Sequence, residues 1–146
     1  MIDYKISELI PHSGKMLLLD EVLDYGEDWL SAQVHITRHS QFVESDAVPA
    51  LVVIEYMAQT VAALAGIRAK KNGAAVRIGL LLGTRKFDSN VDSIAVGVDL
   101  KIHVEELFSE ENGLAVFKCV ATAPAVAVSC HLNVYHPDDI GALNIE

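Results

Sequence analysis

Basic residues are scarce in this sequence: 11 lysines and arginines stand against 20 aspartates and glutamates, which gives a formal net charge of -9 at pH 7. Nonspecific binding to nucleic acid needs a basic footprint, so this composition argues against a nucleic-acid partner. The few basic residues are unevenly placed, and a group called here the basic run comprises Arg68, Lys70, Lys71, Arg77, Arg85 and Lys86. It is either a solvated helix end and strand margin or a landing patch for an anionic partner.

Cysteine is also rare, and the usual signatures of metal and nucleophile chemistry are missing. Cys119 and Cys130 form no CxxC or zinc-type spacing, which predicts two reduced, buried thiols. The six histidines show no HExxH motif or helical ligand spacing, so we expect no metal site. No GxSxG motif is present, which excludes a nucleophile elbow, and the glycines form no phosphate loop.

The N-terminal residues lack the features of a signal peptide. Met1 to Leu9 carries acidic residues and no apolar core, so we expect a cytoplasmic protein. The longest apolar stretch, Ala47 to Ile67, is interrupted by polar residues that include Glu55 and Gln59. Such interruptions favour a buried helix of a soluble fold over a membrane span.

The order of predicted elements indicates the fold class. A chain of 146 residues, 51% hydrophobic, fits one domain over residues 1–146. A short helical turn is expected at Ile6 to Leu9 and one long helix at Pro49 to Asn72, capped by Ser45 or Asp46 and stopped at Asn72-Gly73. Predicted strands cover Met16 to Leu23, Trp29 to Thr37, Val76 to Phe87, Ala95 to Leu107, Leu114 to Thr122 and Ala125 to Tyr135.

Two strands, one long helix and four more strands do not alternate as in a doubly wound fold. They predict an α+β fold in which one antiparallel sheet of about six strands curls around a central helix. A helix that is apolar on nearly every side must be covered all round, and one sheet cannot wrap it completely. We therefore expect a second copy to cover the rest, as in a dimer.

Glu55 is the residue that most clearly suggests chemistry. Carboxylates rarely sit in apolar helices, because removing the charge from water is costly. Gln59 lies one turn later on the same face, so the two polar groups suggest a lined cavity. Glu55 could serve there as a general acid or base, or it could be a structural residue bonded to loop amides or to a partner subunit.

Two histidines lie in loops where they could act on a substrate. His12 is in the tight polar loop Pro11 to Lys15, and His39 is in the loop before the long helix. Loop histidines beside glycine are often exposed to solvent and have no catalytic role. The residues alone place neither histidine near Glu55.

The order of several motifs resembles the β-hydroxyacyl-acyl-carrier-protein dehydratases. Pro11-His12 followed by Met16 to Val22 resembles their opening, and Val48 to Gln59 resembles their central helix with its Glu-x-x-Ala-Gln signature. Lys86-Phe87 and the strand at Val98 to Val104 resemble the segment that follows, so the likeness covers most of residues 10–105. Two runs, Pro-His-Ser-Gly-Lys and Leu-Leu-Gly-Thr-Arg, are most similar to the small dehydratase-like proteins of aryl polyene synthesis.

This resemblance implies a hotdog fold, a homodimer and an acyl thioester carried on the phosphopantetheine arm of acyl carrier protein, with no other cofactor. A heterodimer with another hotdog subunit is the alternative to the homodimer. It implies that Glu55 helps the β-hydroxyl to leave while a histidine removes the α-proton. It also implies that a backbone N–H near Ala50, after Pro49, polarises the thioester carbonyl, and that Gln59 lies in the substrate site. The basic run would dock the carrier protein through Arg68, Lys70, Lys71, Arg85 and Lys86.

One departure from the family pattern keeps several functions open. The usual histidine stands in a Gly-His-Phe-Pro loop, whereas Phe42 to Pro49 is shorter and contains no histidine. Either another histidine has taken over as the base, with His12 preferred to His39, or the reaction has been lost. The functions to compare are a dehydratase using Glu55 and His12, a thioesterase of the same fold, and a catalytically silent subunit of an active dehydratase.

Overall fold

The structure, a computed structural model, describes residues 4–10, 14–73 and 80–135. One long helix lies against a six-stranded antiparallel sheet, which confirms the predicted α+β architecture. The helices are α1 (Ile6–Leu9) and α2 (Val53–Lys71), with short 3-10 turns at Gly14–Met16 and Ala50–Val52. The strands are β1 (Glu21–Tyr25), β2 (Trp29–His35), β3 (Ala47–Pro49), β4 (Leu80–Ser89), β5 (Ser93–Ala95), β6 (Asp99–Ser109), β7 (Leu114–Ala123) and β8 (Val126–Tyr135).

The main sheet has the strand order β1-β2-β6-β7-β8-β4, with β1 and β4 at its two edges. The strand predicted around Ala32 is confirmed as β2, in which Leu30, Ala32 and Val34 are buried together with Ile36 just beyond the strand. Ser31, between Leu30 and Ala32, is buried as well. Buried residues of β6, β7 and β8 continue this inner face and pack on α2. Cys119 and Cys130 lie directly opposite each other on this inner face. Both are free and buried, as the sequence predicted.

The first strand starts later than the sequence predicted. Residues from Met16 onward were expected to be strand, but β1 begins only at Glu21. Gly14 has a φ of 57°, which only glycine adopts freely, and a 3-10 turn follows it. The backbone groups of Met16 and Leu18 then bond to a side chain of α2 and not to a neighbouring strand.

The entry into α2 also differs from the prediction. Ser45 and Asp46 do not cap the helix, because both have positive φ in a turn closed by backbone bonds between Glu44 and Ala47. A second, two-stranded sheet intervenes, in which β3 pairs with β5. The N–H of Ala50 donates to the carbonyl of Asp92 (2.9 Å). The backbone carbonyl of Asp92 thus accepts a hydrogen bond at the helix start in place of the expected capping side chain.

The far end of α2 is held by Arg68. Its guanidinium donates to the carbonyl of Glu27 and to the carboxylates of Asp28 and Glu106, so it ties the helix to the β1–β2 turn and to β6. The helix stops at Asn72-Gly73 as predicted, and Gly73 has a φ of 69°.

Residues Ala50–Lys71 are long and apolar enough to cross a bilayer by length and composition, but 61% of the most apolar window is buried inside the protein. That burial is what a core helix requires, and it agrees with the sequence prediction of a buried helix.

Gly66 marks the closest approach of α1 to α2, and it provides a test of this packing. A Cβ at Gly66 would lie 2.0 Å from the carbonyl oxygen of Leu9. We expect Gly66→Ala to lower the free energy of unfolding by about 1–3 kcal/mol, despite the better helix propensity of alanine. Urea denaturation measures this loss. The control is Gly83→Ala, where a Cβ meets nothing within 4 Å, and equal stability of the two variants would contradict the packing.

Candidate active site

The site is built on the first two turns of α2. Glu55 lies in the first turn and is half-buried, between Val53 and Met57, which are fully buried against the core. These two anchors fix the rotation of the helix about its axis. Glu55 is therefore held at the margin of the core, where a carboxyl group keeps access to a ligand.

Gln59, one turn after Glu55, connects the helix to the N-terminal loop. Its Oε1 accepts the backbone N–H of Leu18 (2.9 Å), and its Nε2 donates to the carbonyl of Met16 (2.7 Å). The same Nε2 also donates to Oε1 of Glu55 (3.3 Å). Because Met16 and Glu55 contact one nitrogen atom, the loop and the carboxyl group are near neighbours.

The structure brings Glu55 and Gln59 together as the sequence predicted. The substrate-binding role assigned to Gln59 stays a prediction, but its side chain is only 1% exposed and its amide already bonds to the loop. His12 lies outside the described residues, just before the turn at Gly14–Met16 that the amide of Gln59 holds.

Three of the other described histidines are exposed or bonded elsewhere, and His131 is half-buried on β8. His39 is exposed in the turn between Thr37 and Ser40. The Nδ1 of His35 is bonded to Asp99, and this bond raises the pKa of the imidazole. The Nδ1 of His103 is 2.7 Å from the hydroxyl of Ser31. His35 and His103 thus connect β2 to β6.

Two predicted substrate-binding residues lie where the small sheet meets the helix. Pro49 is exposed at the end of β3, opposite Ser93. Ala50 is buried, and its N–H already donates to Asp92. The predicted carbonyl donor near Ala50 therefore has to come from the next residues of the turn, since the N–H of Ala50 itself is occupied.

Tyr56 is a feature that the sequence reasoning did not single out. It follows Glu55 in the chain but is only 2% exposed. Burial, with a smaller effect of Asp20, raises the pKa of its phenol to about 12. The phenol stays protonated at neutral pH, so Tyr56 cannot serve as the base. The sequence signal that could have pointed to Tyr56 is its position directly after Glu55 in the helix.

The basic run divides into two groups. Arg68 and Lys71 have internal contacts, since Arg68 bonds to the β1–β2 turn and Lys71 lies 4.9 Å above the ring of Tyr25. Lys70, Arg85 and Lys86 are exposed, and a β-bulge after Arg85 gives Lys86 a φ of 56°. Arg77 lies outside the described residues. Carrier docking by the basic run stays a prediction, and Arg85 and Lys86 are exposed side by side on β4.

Among the residues described, no three histidine, cysteine or acidic side chains are grouped closely enough to hold a metal ion.

A family model described as ApeP-like, ApeP dehydratase, matches residues 4–144. The chain belongs to this family. The recognition of a hotdog-fold dehydratase close to the aryl-polyene type, made from the sequence motifs, is thereby confirmed. The ApeP-like chain is 26% identical over 129 residues to the 3-hydroxyacyl-[acyl-carrier-protein] dehydratase FabZ of Brucella ovis, which covers 83% of the chain and 78% of that relative.

Solved structures agree with the ApeP-like assignment. The dehydratase heterocomplex ApeI:P from Xenorhabdus doucetiae matches with a TM-score of 0.86 and 28% identity, over 96% of this chain and 97% of the other. A hypothetical thioesterase from Streptococcus pneumoniae, solved with coenzyme A, matches with a TM-score of 0.60 at 9% identity, over 79% and 86% of the chains. At that identity it supports the hotdog fold alone and gives no support to the thioesterase alternative.

Proposed function

We propose that this ApeP-like protein dehydrates β-hydroxyacyl thioesters carried on acyl carrier protein, with Glu55 and His12 as the catalytic pair. The observation that carries the proposal is the amide of Gln59, which bonds both to Glu55 and to the loop directly after His12. Family membership supports dehydratase chemistry, and the half-buried carboxyl group is suited to proton transfer.

The reaction needs one base and one acid on opposite ends of the bond that becomes double. The imidazole of His12 removes the α-proton, the Cα–H electrons form the Cα=Cβ bond, and the Cβ–O bond breaks. The carboxyl group of Glu55 gives its proton to the departing hydroxyl, which leaves as water. The proton on His12 then returns through solvent to the carboxylate, so the pair is ready for another turnover.

His12 is the preferred base because of its position in the chain. A chain spans at most about 3.3–3.6 Å per residue, so the short segment from Met16 back to His12 limits how far His12 can lie from the Met16 carbonyl that Gln59 holds near Glu55. His39 sits instead in an exposed turn after β2. The N–H of Leu51, the next residue of the 3-10 turn after Ala50, would polarise the thioester carbonyl.

A second subunit would complete the molecule along the edge of the main sheet. The edge strand β4 exposes Leu80, Leu81 and Leu82 by 41, 43 and 56%. Exposed apolar edge strands are templates for pairing with another chain, and Leu51, 66% exposed at the helix start, extends the uncovered surface. The related ApeI:P structure is a heterocomplex, which favours a second hotdog chain as the partner over a second copy.

The same relative supports a second candidate function. A chain that lacks a histidine in the loop Phe42 to Pro49 could be a silent subunit that shapes the tunnel of an active partner. For either function, we infer a cytoplasmic role in fatty-acid or polyketide synthesis. An aryl-polyene-type substrate is favoured, because the matching family model is ApeP-like.

Arg85 and Lys86 suit the docking of the carrier. Both are exposed at the bulge of β4, and the phosphopantetheine arm carries a phosphate. Charges at the rim of an interface steer association without needing burial.

The catalytic proposal predicts the effect of two substitutions. Glu55→Gln removes the proton donor, and His12→Ala removes the base, so each should lower the hydration rate of a crotonyl thioester by about 10²–10⁴-fold. Loss of enoyl absorbance measures this rate, and circular dichroism checks folding. No turnover by the wild type alone, restored when a second hotdog subunit is added and insensitive to both substitutions, would favour the silent subunit.

The pairing proposal predicts that Leu82→Lys lowers the molar mass in solution toward that of one chain, because it places a charge on the exposed edge. Light scattering measures the mass. Leu107→Lys is the control, since Leu107 on β6 is 46% exposed but lies away from the edge strand. An unchanged mass for Leu82→Lys, or an equal loss in both variants, would refute pairing through β4.

The docking proposal predicts that Arg85→Glu with Lys86→Glu weakens carrier-protein binding at least about tenfold and reduces its salt dependence. Lys101→Glu with Lys118→Glu is the control, because both lysines are exposed on β6 and β7 and the charge change is the same. Calorimetric titration with the phosphopantetheinylated carrier gives the affinities. Similar weakening in both double variants would mean a nonspecific charge effect.

A further inference from the structure

We infer that Gln59 is a positioning residue, which holds the Gly14–Leu18 loop and the Glu55 carboxyl group in one fixed arrangement and does not bind the substrate. This inference rests on the proposed function, because the arrangement matters for catalysis only if Glu55 reacts. It replaces the substrate contact that the family resemblance implies for Gln59.

Most of the hydrogen-bonding capacity of the amide is used inside the protein, since both N–H bonds have partners and only one lone pair of the oxygen remains. Its oxygen accepts from Leu18, and its nitrogen donates both to Met16 and to Glu55. The side chain is 1% exposed, so a substrate could reach it only by displacing one of these partners. Displacement would leave a buried backbone group unpaired, which is costly.

The loop also fixes the orientation of the Gln59 amide. The N–H of Leu18 requires an acceptor and the carbonyl of Met16 requires a donor, so only one of the two flipped states satisfies both. That state directs Nε2, and not Oε1, toward Glu55. The loop backbone therefore determines that the carboxyl group faces a donor.

Few other hydrogen bonds hold the segment that Gln59 contacts. Residues 17–20 belong to no strand, and the preceding turn is closed by one 3.2 Å bond from Leu17 to Gly14. The next backbone bond along the chain is at Asp20, whose N–H donates to the carbonyl of Gln33 in β2 (2.9 Å). The two hydrogen bonds from the buried side chain of Gln59 thus hold Met16 and Leu18 where pairing with a neighbouring strand would otherwise be needed. Loss of Gln59 should let the loop, and whatever precedes it, move relative to Glu55.

The test compares Gln59→Met, which keeps the length of the side chain but removes its polar atoms, with Thr60→Val. Thr60 is the adjacent residue, also buried, and its hydroxyl donates only within its own helix, to the carbonyl of Tyr56 (2.7 Å). Both changes remove a buried hydrogen-bonding group, but only Gln59→Met disconnects the loop. Crotonyl thioester hydration is measured in whichever assembly the wild type turns over.

We expect Gln59→Met to lower kcat by about 10- to 100-fold with KM changed less than about threefold, since small misplacements of reacting groups have effects of this size. Thr60→Val should change neither constant by more than about threefold. A raised KM with kcat preserved in Gln59→Met would establish a substrate contact and overturn the inference. An equal fall of kcat in both variants would also overturn it, because it would reflect general destabilisation.

A second readout does not depend on activity. Hydrogen exchange of the Leu18 amide should be slow in the wild type and in Thr60→Val, and fast in Gln59→Met. Unchanged protection in Gln59→Met would overturn the positioning role. If the wild type proves inactive in every assembly, the proposed function fails, while the exchange of Leu18 still decides whether Gln59 holds the loop.

Discussion

Covering an apolar helix on nearly all sides is the constraint on which the rest of this structure depends. The strands β2, β6, β7 and β8 supply one continuous buried face for α2, and Gly66 lets α1 approach where any side chain would collide with Leu9. Burial of this apolar surface is the main favourable contribution to folding. It also makes each buried polar group on the helix exceptional, because such a group needs a partner inside the protein.

Gln59 and Glu55 meet that requirement in one network, and the function proposed for the protein follows from it. The bonds that satisfy the amide of Gln59 also hold the N-terminal loop. This one amide therefore connects the helix, the loop and the carboxyl group of Glu55. A carboxyl group held in this way is preorganised for proton transfer, which is an advantage that catalytic sites exploit. The exposed leucines of β4 form the surface on which the proposed second chain would pack.

Much of the fold could be predicted because its signals are periodic. The strand around Ala32, the long apolar helix and the Asn72-Gly73 stop depend on local chemistry, and all three are confirmed. The late start of β1 at Glu21 and the pairing of Ala47–Pro49 with Ser93–Ala95 depend on partners far away in the chain. The same holds for the site: Glu55 and Gln59 were visible as polar residues on one helix face, whereas the bonds of Gln59 to Met16 and Leu18 required the folded loop.

Incorporation of deuterium from D2O tests the central claim, that this site forms and breaks a Cα–H bond beside a thioester. A crotonyl thioester is incubated with the protein, together with a second hotdog subunit where one is required, and the product is examined by NMR. The account predicts a β-hydroxyacyl thioester carrying one deuterium on Cα, with a rate that falls sharply in Glu55→Gln. Free thiol without deuterium on Cα, or deuteration that is indifferent to Glu55, would contradict it.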